Sequence, residues 1–190
     1  MRIISGEWRG RKLVAPKNDA TRPTADRTRE TLFSMLTSRV GSFEGLAVAD
    51  LFAGSGALGL EALSRGAESC LFAEQDRDAL DALKKNLISL DVGKRADLRA
   101  GSVMSLGPAR RTYDIVLIDA PYGTGAGSVA LDKLNRLGWI GMGTWVSVET
   151  AQAEEVNIRG FEIEAERKVG KAKLTLLRAL PAAAQKSDAA

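Results

Sequence analysis

The chain of 190 residues contains no histidine and one cysteine. Without histidine there can be no Ser-His or Cys-His nucleophilic pair and no histidine metal site. A single cysteine allows no internal disulfide. Cys70 sits in the apolar run Cys70-Leu71-Phe72-Ala73 and reads as a small core residue. That excludes chemistry needing a cysteine nucleophile, such as covalent attack on a pyrimidine ring. No apolar run approaches the ~20 residues needed to span a bilayer. The opening Met1-Arg2-Ile3-Ile4-Ser5-Gly6 is too short and too soon polar for a signal peptide. These absences lead us to expect a cytoplasmic protein with no metal and no membrane partner. No apolar stripe suggests an interface, so a monomer is expected. Any chemistry must come from carboxylates, Lys, Tyr, Ser, backbone groups or a bound cofactor.

What is present is a full core's worth of apolar residues, 45%, and an uneven charge. Residues 1–40 hold nine Lys and Arg against four Asp and Glu. The other 150 hold 18 against 20. A basic segment on a near-neutral domain fits a phosphate-backbone partner, and equally a solvated charged face.

Residues 2–5 and 11–15 are short β-like runs around Glu7-Trp8-Arg9-Gly10 and predict a hairpin. Thr24 is placed to cap a helix over 25–39, with Leu32, Phe33, Met35, Leu36 and Val40 apolar and Gly41 ending it. Strand-like runs near 46–53, 69–74, 96–101, 113–119 and 144–149 alternate with helix-like runs near 57–65, 77–90 and 127–137. That alternation predicts βαβ units and a mostly parallel sheet. Runs near 161–168 and 172–179 lack an intervening helix and predict a closing hairpin, with an antiparallel strand ending the sheet. The expected organisation is a basic hairpin extension over 1–20, an α/β domain over 21–180 and a disordered tail over 181–190.

The central motif is Asp50-Leu51-Phe52-Ala53-Gly54-Ser55-Gly56-Ala57-Leu58-Gly59, which leaves a strand and enters a helix. Its glycines let the backbone turn sharply and approach a ligand. Gly54, Gly56 and Gly59 also fit the dinucleotide fingerprint, and Glu74 lies 20 residues beyond Gly54, where a ribose-binding carboxylate belongs. A nicotinamide oxidoreductase is therefore a rival. Asp50 separates the two, since a carboxylate there repels a pyrophosphate but tolerates the cations of S-adenosylmethionine.

The second motif, Asp119-Ala120-Pro121-Tyr122, follows the fourth strand. The exocyclic amine of a base is a weak nucleophile because its lone pair is delocalised. A carboxylate and a backbone carbonyl that accept its two N–H groups favour the reactive geometry and stabilise the developing positive charge. Asp119 and the Ala120 carbonyl would be those acceptors, Pro121 would stiffen the turn, and Tyr122 would stack on the base. A polar turn after a buried strand is the plain alternative for this motif.

Asp50 to Gly59 resembles motif I of the class I S-adenosylmethionine methyltransferases. Asp119 to Tyr122 resembles the (Asp/Asn/Ser)-Pro-Pro-(aromatic) motif of amino methyltransferases. The runs Arg2 to Leu13 and Arg22 to Phe33 are similar to stretches characteristic of the bacterial small-subunit (16S) ribosomal RNA guanine-N2 methyltransferases. The resemblance covers about residues 1–180, and its specific part is N-terminal. It implies a Rossmann-like seven-stranded domain with an N-terminal β-hairpin that helps bind RNA. The implied reaction is methylation of one guanine N2 amine, on assembled or partly assembled small subunits. By position, Phe52, Ala53, Gly54, Ser55 and Gly56 would line the methionine part of the cofactor. Glu74 would hold the ribose, with Gln75, Ser102 and Val103 around the adenine. Arg22, Pro23 and Thr24 would sit over the active site. Two positions depart from the pattern: Ala120 replaces the usual second proline, and Ser102 stands where many relatives carry Asp or Asn.

Trp8, Arg9 and Arg11 are candidate RNA contacts on the hairpin, with core packing as the alternative for Trp8. Arg27 and Arg29 either contact phosphate or face solvent. Lys168, Lys171 and Lys173 read as solvated charges. Besides guanine-N2 transfer, the sequence leaves open an adenine-N6 target and a non-catalytic RNA-binding assembly factor.

Overall fold

The computed structural model describes residues 1–16 and 23–181, with the side chains of Pro23 and Thr24 outside the described set. Arg22 and the expected tail beyond 181 also lie outside the described residues. In chain order the elements are α1 (Pro23–Val40), β1 (Ala47–Leu51), α2 (Ala57–Ser64), β2 (Ser69–Glu74), α3 (Arg77–Ser89), β3 (Ala96–Ala100), β4 (Tyr113–Ile118), α4 (Ala126–Arg136), β5 (Ile140–Ala151), β6 (Phe161–Val169) and β7 (Ala172–Ala179). The seven strands form one sheet in the order β3-β2-β1-β4-β5-β7-β6. β1 to β5 run parallel.

Alternation along the central strands explains why both sheet faces are covered. Val48, Phe72, Ile115, Leu117, Leu174 and Leu176 belong to one apolar cluster, with α1 and α2. Their neighbours Ala49, Leu51, Leu71, Val116, Ile118 and Leu177 belong to the other, with α4. α3 starts where Asp76, its N-cap, accepts the Ala79 N–H at 2.9 Å.

The closing strands form the expected antiparallel hairpin. β7 is the antiparallel strand, but it lies between β5 and β6 instead of at the edge. The reason is burial: six of β7's eight residues are buried, whereas β6 is largely exposed and carries charged residues suited to an edge. α1 begins at Pro23, so Thr24 lies inside the helix and does not cap it. Proline at a helix's first position sacrifices an N–H that has no intrahelical partner anyway. Lys173 is buried and pairs with Glu166 at 3.3 Å, so it is not a solvated charge. Arg29 is buried too, paired with Asp26 at 3.1 Å and near Glu61.

The N-terminal segment doubles back through a single antiparallel bridge, Arg2 to Lys12, in place of two strands. It is not a detached extension: Ile3, Trp8 and Leu13 enter the same core cluster as Phe33 and Leu63. Buried side chains satisfy its backbone. Glu61 is fully buried and accepts the N–H groups of Ile4 at 2.8 Å and Ser5 at 3.0 Å, together with Arg65 Nε at 2.9 Å. Ser64 Oγ accepts the Trp8 N–H, and the Ser64 carbonyl accepts that of Glu7. Gly6 meets this carbonyl so closely that a Cβ would lie 1.8 Å from its oxygen, and its φ is +85°. Among the described residues no helix is long and apolar enough to cross a membrane.

Glu61→Ala strands two backbone donors and Arg65 Nε without their acceptor and removes the buried carboxylate beside Arg29. Loss of one partner of a buried charge network costs about 3–5 kcal/mol. Urea unfolding should show that loss; a change under about 1 kcal/mol would mean that the segment is held by packing alone.

Candidate active site

The site lies at the carboxyl ends of β1, β2, β4 and β5, where the strand order reverses around β1 and opens a crevice. β1 ends in a turn that requires unusual backbone: Phe52 has φ +59° and Gly54 +56°. The turn is held from three sides. Glu74 at the end of β2 accepts the Gly54 N–H through Oε2 at 2.7 Å. Asp50 accepts the Gly59 N–H at 2.8 Å. Asn86 of α3 donates to the Ser55 carbonyl at 3.0 Å while binding both backbone groups of Val14. Gly59 serves packing: a Cβ there would lie 2.4 Å from Phe72 and 2.6 Å from the Cys70 sulfur. α2 thus rests directly on β2, with its amino end beside the loop.

Two cavities meet here. The larger, about 580 Å³, is lined by Glu74, Gln75, Asp76, Gly101 and Val103 on one side and by Asp119 to Tyr122 on the other. The smaller, about 160 Å³, is lined by Asp50, Ala53, Gly54 and Ser55 of the turn, by Ala25, Thr28 and Arg29 of α1, and by Glu149 of β5. Phe52 and Asp119 line both. A molecule in the larger cavity and a group in the smaller would therefore meet at Asp119.

The second loop is stiffened by its own bonds. Glu154 Oε1 accepts the N–H groups of Gly123 at 2.8 Å and Ala151 at 3.0 Å. Thr124 Oγ1 donates to the Pro121 carbonyl at 2.7 Å. These contacts hold the turn that follows Ala120. The Tyr122 hydroxyl donates to Glu149, while its ring stays 46% exposed. Burial and that bond hold the phenol protonated well above its ordinary range, and burial raises the Glu149 carboxyl.

The residues fit S-adenosylmethionine. Asp50 lines the smaller cavity and is fully buried, yet its Oδ1 has no hydrogen-bond partner among the described residues. A buried carboxylate oxygen without a donor suits the cofactor's ammonium. Glu74 Oε1 accepts the N–H groups of Gln75 and Asp76, which fixes the carboxylate at the cavity wall with lone pairs left for ribose hydroxyls.

A family model described as Conserved hypothetical protein 95 matches residues 1–178. The chain belongs to this family. A relative from Escherichia coli K12, "Ribosomal RNA small subunit methyltransferase D", is 39% identical over 150 residues, covering 79% of this chain and 74% of the relative. The protein of the same name from Haemophilus influenzae is 38% identical, covering 79% and 78%. The Escherichia coli yhhF structure superposes with a TM-score of 0.81 at 32% identity, covering 95% of this chain and 98% of that one. A Synechocystis magnesium protoporphyrin IX methyltransferase solved with bound SAM shares the fold, with a TM-score of 0.66 at 18% identity. The family member described here is a methyltransferase that depends on S-adenosylmethionine, and the nicotinamide reading falls.

Within this family member, most sequence-expected residues converge. Asp50, Phe52, Ala53, Gly54, Ser55, Glu74, Gln75, Val103 and Asp119 to Tyr122 all line one or both cavities. Gly56 does not; it caps α2 in the left-handed region. Ser102 is also absent from the lining, because its Oγ turns back to accept the Met104 N–H at 3.1 Å. Trp8 is only 7% exposed, and Arg95 lies 5.2 Å over its ring, so it packs in the core and is not displayed for stacking on RNA. Arg11 donates to the Ser89 carbonyl at 2.7 Å, and Arg9 is exposed. Sequence reasoning missed Asp76, Gly101 and Glu149. Glu149 could have been found from its place near the carboxyl end of a central strand.

Burial pushes the Asp50 carboxyl from 3.8 up to about 8, partly opposed by the Gly59 N–H. The folded state then keeps a proton that the unfolded chain releases. Stability from this group is fully present below about pH 4 and falls as pH rises toward 8. Asp50→Asn should flatten that fall in urea unfolding followed across pH 4 to 8. A variant as pH-dependent as the parent would remove Asp50 as the cause.

Proposed function

We propose that this methyltransferase acts on the exocyclic N2 amine of a guanine in small-subunit (16S) ribosomal RNA. The observation that carries the reading is the position of Asp119 on the shared wall of the two cavities, beside the half-exposed Tyr122 ring. The names of relatives at 38–39% identity support ribosomal RNA as the substrate. The second carboxylate, Glu149, supports guanine. Guanine presents N1–H and N2–H donors side by side, whereas adenine sets an acceptor beside its amine; a wall of carboxylates suits the former.

In this reading Glu74 holds the cofactor ribose, Asp50 the ammonium, Gly54 and Ser55 the methionine backbone, and Gln75 and Val103 flank the adenine. S-adenosylmethionine supplies an electrophilic methyl group on a sulfonium. Tyr122 stacks on the extruded base, and its bond to Glu149 fixes the ring plane. Asp119 accepts one amine N–H and the Ala120 carbonyl the other, which draws the nitrogen lone pair out of conjugation. Asp119 also stabilises the positive charge that develops on nitrogen. Its carboxylate is placed to take the proton the amine must then lose. The substrate implies a cytoplasmic protein working on assembled or partly assembled subunits, and a monomer suffices because both cavities are built from one chain.

Asp119→Ala should lower methyl transfer to isolated small subunits by at least about 100-fold, the scale of removing one preorganised electrostatic group. S-adenosylmethionine affinity should stay within a few fold. A scintillation assay of rRNA after phenol extraction, with calorimetry for the cofactor, reads both. Undiminished transfer would remove the carboxylate from the mechanism, and label found in protein instead of RNA would overturn the substrate.

A further inference from the structure

A third depression, of about 680 Å³, runs between α1 and β6 on the side of the sheet away from the cofactor strands. Its floor is apolar, made by the buried Met35 and the half-buried Ala165. Its rim carries three arginines, Arg27 and Arg39 from α1 and Arg167 from β6, with Glu30 and Glu166 as the acidic residues. Glu166 is already neutralised by Lys173 at 3.3 Å. Among the described residues none of the three arginines has a carboxylate within ion-pair distance. Arg39 instead donates to the Met35 carbonyl and lies over the Trp145 ring. The groove is therefore cationic, with one uncompensated acid.

It shares α1 with the active site, although no residue lines both. Thr28 and Arg29 line the smaller catalytic cavity, and Arg27, Glu30 and Thr31 on the same turns of α1 line the groove. On the sheet side, Arg167 pairs with Leu174, which pairs in turn with Glu149 of the catalytic cavity. From Arg27 to Arg39 the helix advances about 18 Å, enough for a short run of consecutive phosphates.

We infer that this groove holds the sugar-phosphate backbone of the substrate RNA strand adjoining the target base, with Arg27, Arg39 and Arg167 as its phosphate contacts. The inference rests on the RNA reading given under Proposed function and adds the path of the strand. Such contacts set affinity and register without reading sequence. They also release counterions, at a slope of about 0.7 per phosphate for single-stranded RNA.

The test is binding of small ribosomal subunits, isolated from cells lacking this protein, to the full chain at several salt concentrations. The R27Q/R39Q/R167Q variant should bind at least about tenfold more weakly at low salt, with a log–log salt slope lower by about 2. R27K/R39K/R167K, which keeps the charges, should restore the slope. Melting temperature and S-adenosylmethionine affinity of both variants should match the parent. An unchanged slope in the glutamine variant would overturn the inference. So would weaker binding at an unchanged slope, which would indicate a protein surface in the groove. Parent protein that binds subunits without methylating their RNA would defeat the functional reading instead, and the slope comparison would still decide the groove.

Discussion

Buried and half-buried carboxylates that accept backbone N–H groups hold this molecule's functional loops in shape. A loop at the end of a parallel sheet has donors that no neighbouring strand can satisfy. Here Glu74 accepts three such donors, Asp50 one, Glu154 two and Glu61 two. The bonds to Glu74, Glu154 and Glu61 are charge-assisted, and together with that to Asp50 they fix the glycine turn, the 119–125 loop and the N-terminal segment. The cost is visible at Asp50, whose full burial raises its proton affinity and leaves one oxygen without a donor. A site that awaits a cationic ligand tolerates that cost, because the ligand completes the pairing.

The same device explains why the basic N-terminal end does not form a separate arm. Arg29 is consumed by the Asp26 and Glu61 network, Arg11 by a carbonyl of α3, and Trp8 by the core under Arg95. Arg2, Arg9 and Lys12 of the segment stay exposed, and further accessible charge lies on the outer face of α1 and on the neighbouring edge strand. Met1 of the segment lines the smaller cavity together with Ala25 and Thr28 of α1, so the N-terminal residues help to build its wall.

Much of this was legible in the sequence. Strand–helix alternation located the parallel strands and their helices, since runs such as Ile115 to Ile118 are apolar on both faces. The glycine turn and Asp119 to Tyr122 were legible because each combines a backbone demand with a specific chemical group. The position of β7 inside the sheet was not, because strand order depends on which strand has two faces to bury. The fates of Trp8, Arg29 and Lys173 were not legible either: an amphipathic side chain reads alike whether it is displayed or packed, and only tertiary partners decide. Glu149 lay within a recognised strand, yet its role depends on Tyr122 meeting it across the site. The turn bond of Ser102 was not legible either, because a hydroxyl can satisfy its own turn as readily as a ligand.

The central claim is that the two carboxylates and the tyrosine present a guanine N2 amine to the cofactor's methyl group. Its most direct test is to incubate the protein with labelled S-adenosylmethionine and small ribosomal subunits from cells that lack it. The RNA is then digested to nucleosides and the products are separated. The account predicts label in N2-methylguanosine. Label in N6-methyladenosine, or none in RNA from a protein that still binds the cofactor, would contradict it.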